Sequence, residues 1–304
     1  MRAVLIGECM VELREAGEGL LAKAFAGDAY NTAVYLKRSA PGVQVQFLSV
    51  TGADPLSQAM RSAWRAEGVE DALAFTDPDG SPGLYMIELD DAGERRFHYW
   101  RSGSAARQWM SRLRAGGGDP LSGAGLVYLS GISLAILPPD EQAQALLLMR
   151  SLHGRVGKLA FDPNVRLRLW PDAEAARAVL EPAMSAADVL LPSVEDMNLL
   201  HGEATPEAHA AWLWRHGARE VAMTLGADGA LVVTREGRAR LPAPPTTVVD
   251  TSGAGDAFNG AYLAARMAGA EPEAAAEAGL AVAARVVSAP GAIVPAAVSH
   301  PKES

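Results

Sequence analysis

Cysteine is nearly absent: Cys9 is the one thiol in 304 residues. A single thiol forms no disulfide within the chain and makes a cysteine-based metal site a poor expectation, so Cys9 is expected to be a small buried side chain. Long apolar runs are missing too, and no stretch reaches the roughly 20 residues that a membrane-spanning helix needs. The apolar opening, residues 3–6, is short for a secretory signal and reads as a first strand, which makes a cytoplasmic protein the expectation. Positive charge is in deficit: 27 Lys and Arg face 36 Asp and Glu, for a net charge of −9 and a pI near 5.2. Such a surface does not favour nucleic acid or an anionic membrane, and leaves room only for a local basic pocket. Familiar motifs are absent as well. Gly157-Lys158 has neither the upstream glycine nor the following hydroxyl of a phosphate loop, no Gly-x-Gly-x-x-Gly follows the first strand, and there is no His-Glu-x-x-His. The six histidines form no ligand cluster, and His98 is expected to be structural or solvated.

What is present is a large apolar fraction, 49%, with 21% charged residues, enough for one large core or two smaller ones. Short apolar runs alternate with helical patterns. Strands are expected over 3–6, 10–13, 45–50, 126–130, 158–161, 189–191, 221–224 and 230–234. Helices are expected over 32–38, 54–67, 138–152, 173–187, 194–200, 206–216, 257–267 and 272–287. Strand, helix, strand, repeated, is the mark of a doubly wound parallel sheet. Residues 83–101 break the rhythm. Two strand-like runs around Asp90-Asp91-Ala92-Gly93 read as a β-hairpin with a four-residue loop. Its Tyr85, Tyr99, Trp100 and Arg101 suit a binding surface or an oligomer interface, with an ordinary edge hairpin as the alternative.

The densest chemistry lies in Asp250-Thr251-Ser252-Gly253-Ala254-Gly255-Asp256, followed by Ala257-Phe258-Asn259-Gly260-Ala261. A strand is expected over 246–249, behind Pro242, Pro244 and Pro245, which puts Gly253 and Gly255 at a strand-to-helix turn. Free N–H groups at a helix start, with the helix dipole, make an anion site. Asp256 stands beside it. That pairing suits phosphoryl transfer, with the N–H groups holding charge on phosphate and Asp256 taking the proton of the attacking hydroxyl. Alone, Gly-Ala-Gly-Asp reads equally as an ordinary turn. Gly27 permits close approach before a helical run, and Arg166 follows Asp162-Pro163-Asn164 at a strand's C-terminal end, where open sheets bind ligands.

The twelve residues from Asp250 to Ala261 resemble the C-terminal signature of the PfkB, or ribokinase-like, family of carbohydrate kinases. The resemblance covers nearly the whole chain. It includes the run from Leu5 to Leu13, Gly27-Asp28 with Asn31 to Leu36, Gly93-Glu94-Arg95 with Tyr99-Trp100-Arg101, Leu129 to Ala135, and Phe161-Asp162-Pro163-Asn164 with Arg166 and Leu169-Trp170. These segments are most similar to the branch acting on 2-keto-3-deoxy sugar acids. The resemblance implies an α/β fold, a ribokinase-like three-layer α/β/α sandwich, as a single kinase domain with a small β lid from about 10–25 and 83–101. Lids of this family often pair, so a homo-oligomer through the lid is implied. It implies ATP with Mg²⁺, a monovalent cation as a further possibility, and phosphorylation of 2-keto-3-deoxygluconate to the 6-phosphate. A kinase for the galactonate epimer or for fructose, and a non-catalytic sugar-acid binder, are the alternatives.

Carried over by position, Asp256 would be the base and Gly253, Ala254 and Gly255 the anion hole. Gly27, Asn31, Tyr85, Tyr99, Arg101 and Arg166, with Asp256, would meet the sugar acid. Asn164, Ser193, Thr224, Gly226 and Gly229, with Gly253 and Gly255, would meet ATP. Arginine suits a carboxylate through bidentate contacts. For Arg168, a surface salt bridge is as good a reading. Two departures stand out: Ala26 replaces the first of two family glycines, and the family's Asn-x-x-Glu falls on Ser193-Val194-Glu195-Asp196, so that only Asp196 remains to meet Mg²⁺, through water.

Overall fold

The computed structural model describes residues 1–17, 19–89 and 95–300. Strands β1 (Arg2–Ile6), β2 (Met10–Glu15) and β3 (Leu21–Ala26) precede α1 (Asp28–Ser39), β4 (Gln44–Gly52) and α2 (Pro55–Ala66). Short strands β5 (Val69–Glu70) and β6 (Ala74–Asp77) lead to β7 (Leu84–Leu89), β8 (Arg95–Trp100) and α3 (Trp109–Ala115). Next come β9 (Leu126–Ser130), α4 (Gly131–Ala135), α5 (Pro139–Ser151), β10 (Lys158–Asp162), α6 (Ala173–Ala186) and β11 (Val189–Leu190). They are followed by α7 (Val194–His201), α8 (Pro206–Arg215), β12 (Val221–Thr224), β13 (Ala230–Val233) and β14 (Arg238–Leu241). Helices α9 (Ala254–Met267), α10 (Pro272–Val286) and α11 (Ala296–Ser299) complete the described chain.

The larger sheet runs β14-β13-β12-β11-β10-β9-β1-β4-β5, with β6 also on β4. Its centre is parallel, and β13 and β14 close one side antiparallel. Alternate side chains feed two cores. Val4, Ile6, Val127 and Leu129 go to one face, and Ala3, Leu5, Leu126 and Tyr128 to the other. Burial on both faces is why these strands read as unbroken apolar runs. The smaller sheet, β3-β2-β7-β8, stands apart. Its cross-strand register puts Tyr85 opposite both Glu12 and Tyr99 on one face, and Leu84 opposite Val11 and Trp100 on the other.

Local chemistry sets the helix ends. The Asp54 carboxylate accepts from the N–H groups of Leu56 and Ser57 ahead of Pro55, and Ser193 and Asp196 form a reciprocal capping box on α7. The expected strand over 246–249 is not formed. Pro242, Pro244 and Pro245 supply no donors, Val248 and Val249 are 60% and 56% exposed, and the N–H groups of Val249 and Asp250 instead donate to the carbonyl of Val287. The strand there is β14, the four residues immediately before Pro242. Helices α1 and α9 start earlier than expected, so Asn31, Gly255 and Asp256 all lie in a first helical turn. The loop over 90–93 and Glu94 lie outside the described residues.

Candidate active site

The site is built where α1 and α9 touch. Gly260 makes that contact possible: a β-carbon there would sit 2.7 Å from the Leu36 nitrogen and the Thr32 oxygen. With the helices this close, the Asn31 side-chain amide donates to Oδ2 of Asp256 at 2.8 Å, while its Oδ1 accepts from the Gly27 N–H at 3.3 Å. Gly27 is itself forced, since a β-carbon would lie 2.2 Å from the Glu8 carbonyl. Farther along α9, Asn259 donates to Asp162 at 2.9 Å.

Asp256 titrates at about 7, raised first by burial and then by the charge of Asp28, with the Asn31 hydrogen bond and Arg166 pulling the other way. Asp28 is held by the Asn164 side-chain amide at 2.9 Å. Asn164 has φ of 34°, the only positive φ outside glycine among the described residues, a strained conformation of the kind found at functional sites. Its own N–H donates to Asp162 at 2.9 Å. Burial, then Asp196, Asp256 and Asp28, push Asp162 well above the usual carboxylate range.

Two clefts meet at Asp256. One, of about 450 Å³, lies under the small sheet; the other, of about 370 Å³, lies over the ends of β11 and β12. Asn164, Arg166, Ser252, Gly253 and Asp256 line both. The first brings together Gly27, Asn31, Tyr85, Tyr99, Arg101 and Arg166, the residues that the resemblance assigns to the sugar acid. The second brings together Ser193, Thr224, Gly226, Gly229 and the run from Gly253 to Gly255. Asn164 lies on both sides, and its amide is turned to Asp28, on the sugar side.

Three details refine the sequence reading. Arg101 is buried and bonded to the equally buried Glu8, so its charge is already compensated. Of Gly253 and Gly255, only Gly253, with φ of 72°, needs a left-handed backbone, and a β-carbon on it would lie 2.5 Å from the Ala292 carbonyl. Gly255 is helical, and nothing lies within 4 Å of a β-carbon placed on it; its smallness keeps the second cleft open at the helix N-terminus. Asp196 lines that cleft, but its oxygens accept from the N–H of Val165 at 2.6 Å and from the Ser193 hydroxyl at 2.7 Å. No group of three acidic, histidine or cysteine side chains suited to a metal occurs among the described residues. One engaged carboxylate fits a metal that arrives with nucleotide phosphates and keeps its waters, as Mg²⁺ does.

Sequence reasoning assigned no substrate contact to Glu8, Glu12, Arg14 or Asp28 and left Arg168 between a carboxylate contact and a surface salt bridge; all five line the first cleft. The signal for two of them was available: Glu12 and Arg14 alternate with apolar residues along β2, placing them on the face that carries Tyr85 and Tyr99. Tyr85 donates its hydroxyl to Glu12.

The model of the pfkB family of carbohydrate kinases matches residues 2–298. The chain belongs to that family. Among its relatives, 2-dehydro-3-deoxygluconokinase of Escherichia coli (strain K12) is 38% identical over 301 residues, covering 97% of each chain. A solved PfkB protein from Polaromonas sp. JS666 is 28% identical with a TM-score of 0.81, over 95% of this chain and 96% of that one. Fructokinase from Vibrio cholerae O395, solved with fructose, ADP and calcium, is 25% identical with a TM-score of 0.83, over 96% and 94%. A carbohydrate kinase needs a sugar hydroxyl, a base and a nucleotide phosphate to meet at one point. Among the described residues, Asp256 is the one carboxylate that lines both clefts. No helix among the described residues is long and apolar enough to cross a membrane.

Proposed function

We propose that this kinase transfers the γ-phosphoryl group of ATP to the terminal hydroxyl of 2-keto-3-deoxygluconate, giving the 6-phosphate and ADP. The observation that carries the reading is Asp256: a half-buried carboxylate titrating at about 7, in the wall shared by the two clefts and at the N-terminal turn of α9. A base with a pKa near neutrality is matched to removing a proton from an alcohol while phosphorus is attacked. Asp256 takes that proton as the hydroxyl oxygen bonds to phosphorus and the bond to the ADP oxygen breaks. The N–H groups of Gly253, Ala254 and Gly255 face the charge that gathers on the transferred group. Arg166, on the border of both clefts, adds a positive charge.

Mg²⁺ arriving with ATP would neutralise charge on the phosphates, and Asp196 is the residue that would hold it, through water. Ser193, Thr224, Gly226 and Gly229 line the nucleotide side, and Gly27, Asn31, Tyr85 and Tyr99 the sugar side. The chain acts as one kinase unit in which the small sheet is a lid that excludes water from the transfer. The name of the Escherichia coli relative supports the sugar acid, and the fructose and ADP of the Vibrio structure support sugar and nucleotide in adjoining clefts. A second copy of the chain suits the outer face of the lid, where Trp100 is 60% exposed. A cytoplasmic setting, with ATP at hand and thiols reduced, suits the lone buried Cys9.

The experiment is a coupled ADP-release assay with 2-keto-3-deoxygluconate, its galactonate epimer and fructose. The expected order of kcat/KM puts the gluconate acid first. A neutral ketose in first place would overturn the substrate, and no ADP release with any of the three would overturn the reaction.

A further inference from the structure

Four arginines border the sugar cleft: Arg14, Arg101, Arg166 and Arg168. Two are engaged with carboxylates, Arg101 with Glu8 and Arg166 with Asp196 at 3.9 Å. Arg14 is an exposed strand residue whose guanidinium lies toward Gly291, and it stacks on no ring among the described residues. Arg14 likewise has no hydrogen bond or ion pair among the described residues, so what sets Arg168 apart is that it is held on a ring. Its guanidinium sits 4.0 Å from the centre of the Tyr99 ring, and among the described residues it has neither a hydrogen bond nor an ion pair.

Stacking uses the face of a guanidinium and leaves its in-plane N–H donors free. The platform is itself fixed. Tyr99 stacks on Tyr85 at 5.8 Å and on Phe97 at 6.3 Å, and Tyr85 is tied to Glu12. The turn that carries Arg168 is pinned at both ends, because Val165 and Trp170 are buried and the Val165 N–H is bonded to Asp196. Arg168 is therefore a preorganised cation with unfilled donors, at the seam between the body and the small sheet. The same cleft is otherwise rich in acid, with Glu8, Glu12, Glu15, Asp28, Asp250 and Asp256 along its walls. An anionic substrate is tolerated there only where a cation remains uncommitted.

We propose that Arg168 is a specificity-determining residue that receives the substrate's carboxylate, held on Tyr99 so that the acid group is clamped between the body and the small sheet. The inference deepens the sugar-acid reading and rests on it. The carboxylate takes two in-plane donors from the guanidinium, and Tyr99, on the lid, feels its presence through the stack. Carboxylate recognition and lid position are then one event, because the residue that binds the acid is also the contact between the two parts.

The test compares 2-keto-3-deoxygluconate with its neutral carboxamide, as substrate or as competitive inhibitor, in wild type, Arg168→Gln and Arg168→Lys, with KM for ATP measured alongside. Arg168→Gln is expected to raise KM for the acid about tenfold or more, the size of one charge-assisted hydrogen bond. Its kcat, its KM for ATP and its affinity for the carboxamide should stay within about threefold of wild type. Arg168→Lys, which keeps the charge and loses the planar fork, should fall between. An acid-over-amide preference in Arg168→Gln equal to that of wild type overturns the proposal, and so does an equal loss on acid and amide. Wild-type enzyme that phosphorylates a neutral ketose and not the acid removes the sugar-acid reading itself, a result visible before any variant is made.

Discussion

The Asn31 amide and the Asp256 carboxylate, 225 positions apart in sequence, are joined by a 2.8 Å hydrogen bond between two helix N-terminal turns. Because Asn31 is also tied to Gly27, the bond fixes Oδ2 of Asp256 and leaves Oδ1 without a hydrogen-bond partner among the described residues. A base held this way is ready before substrate arrives, which is what general-base catalysis requires of geometry.

Asp256→Asn removes the proton acceptor and keeps the shape. Turnover should fall by about 10²–10⁴-fold, with ATP affinity and melting temperature close to wild type. Steady-state kinetics and nucleotide titration check this. Turnover within a few-fold of wild type would take Asp256 out of the mechanism.

Activity should depend on pH through the same group. The base works ionised, and its pKa is raised to about 7, so kcat/KM should fall as pH drops through that value. Asp28 raises the pKa and Arg166 lowers it. Asp28→Asn should therefore move the acidic limb to lower pH, and Arg166→Gln should move it to higher pH. Profiles that shift in the same direction for both variants would contradict the electrostatic account.

The two glycines of the anion hole should fail differently. Gly253→Ala forces a side chain into a left-handed backbone and against the Ala292 carbonyl, so it should lower stability by at least about 1–2 kcal/mol. Gly255→Val has room to fold but fills the space at the N–H groups, and should lower kcat far more than melting temperature. A Gly255→Val enzyme with normal kcat would show that the phosphate lies elsewhere.

Arg101→Ala leaves Glu8 buried without its partner. Breaking such a pair costs about 3–5 kcal/mol, so thermal stability should drop, and KM should rise for acid and neutral sugars alike. The double variant Glu8→Leu with Arg101→Met should recover much of the stability, because an apolar pair of similar size replaces the ion pair. A double variant no more stable than Arg101→Ala would mean that the loss comes from something other than the orphaned carboxylate.

Trp100→Glu places a charge on the outer face of the small sheet, 60% exposed in a single chain. If two copies meet there, the variant should shift to monomer mass in light scattering while the sugar cleft, on the opposite face, stays intact. Unchanged mass would place any interface away from Trp100.

The sequence by itself determined the parallel core, because strands buried on both faces must be continuously apolar. It also determined the glycine-rich start of α9, because the left-handed turn at Gly253 and the helix that follows it are local features. The residues that the resemblance assigns to sugar and nucleotide line the two clefts, with Asn164, Arg166, Gly253 and Asp256 on the wall they share. Only the tertiary structure decided the pairings that set charge. That Glu8 neutralises Arg101, that Asn164 holds Asp28 beside the base, and that Arg168 is stacked and otherwise uncommitted all depend on segments brought together by the packing of α1 on α9 and of the small sheet over the cleft. Side-chain pairing across such distances leaves no periodic trace in a chain. The misplaced strand over 246–249 has the same origin: its β-branched residues carry strand propensity, but a ladder needs donors and a neighbour, and prolines with a bond to Val287 supplied a loop instead.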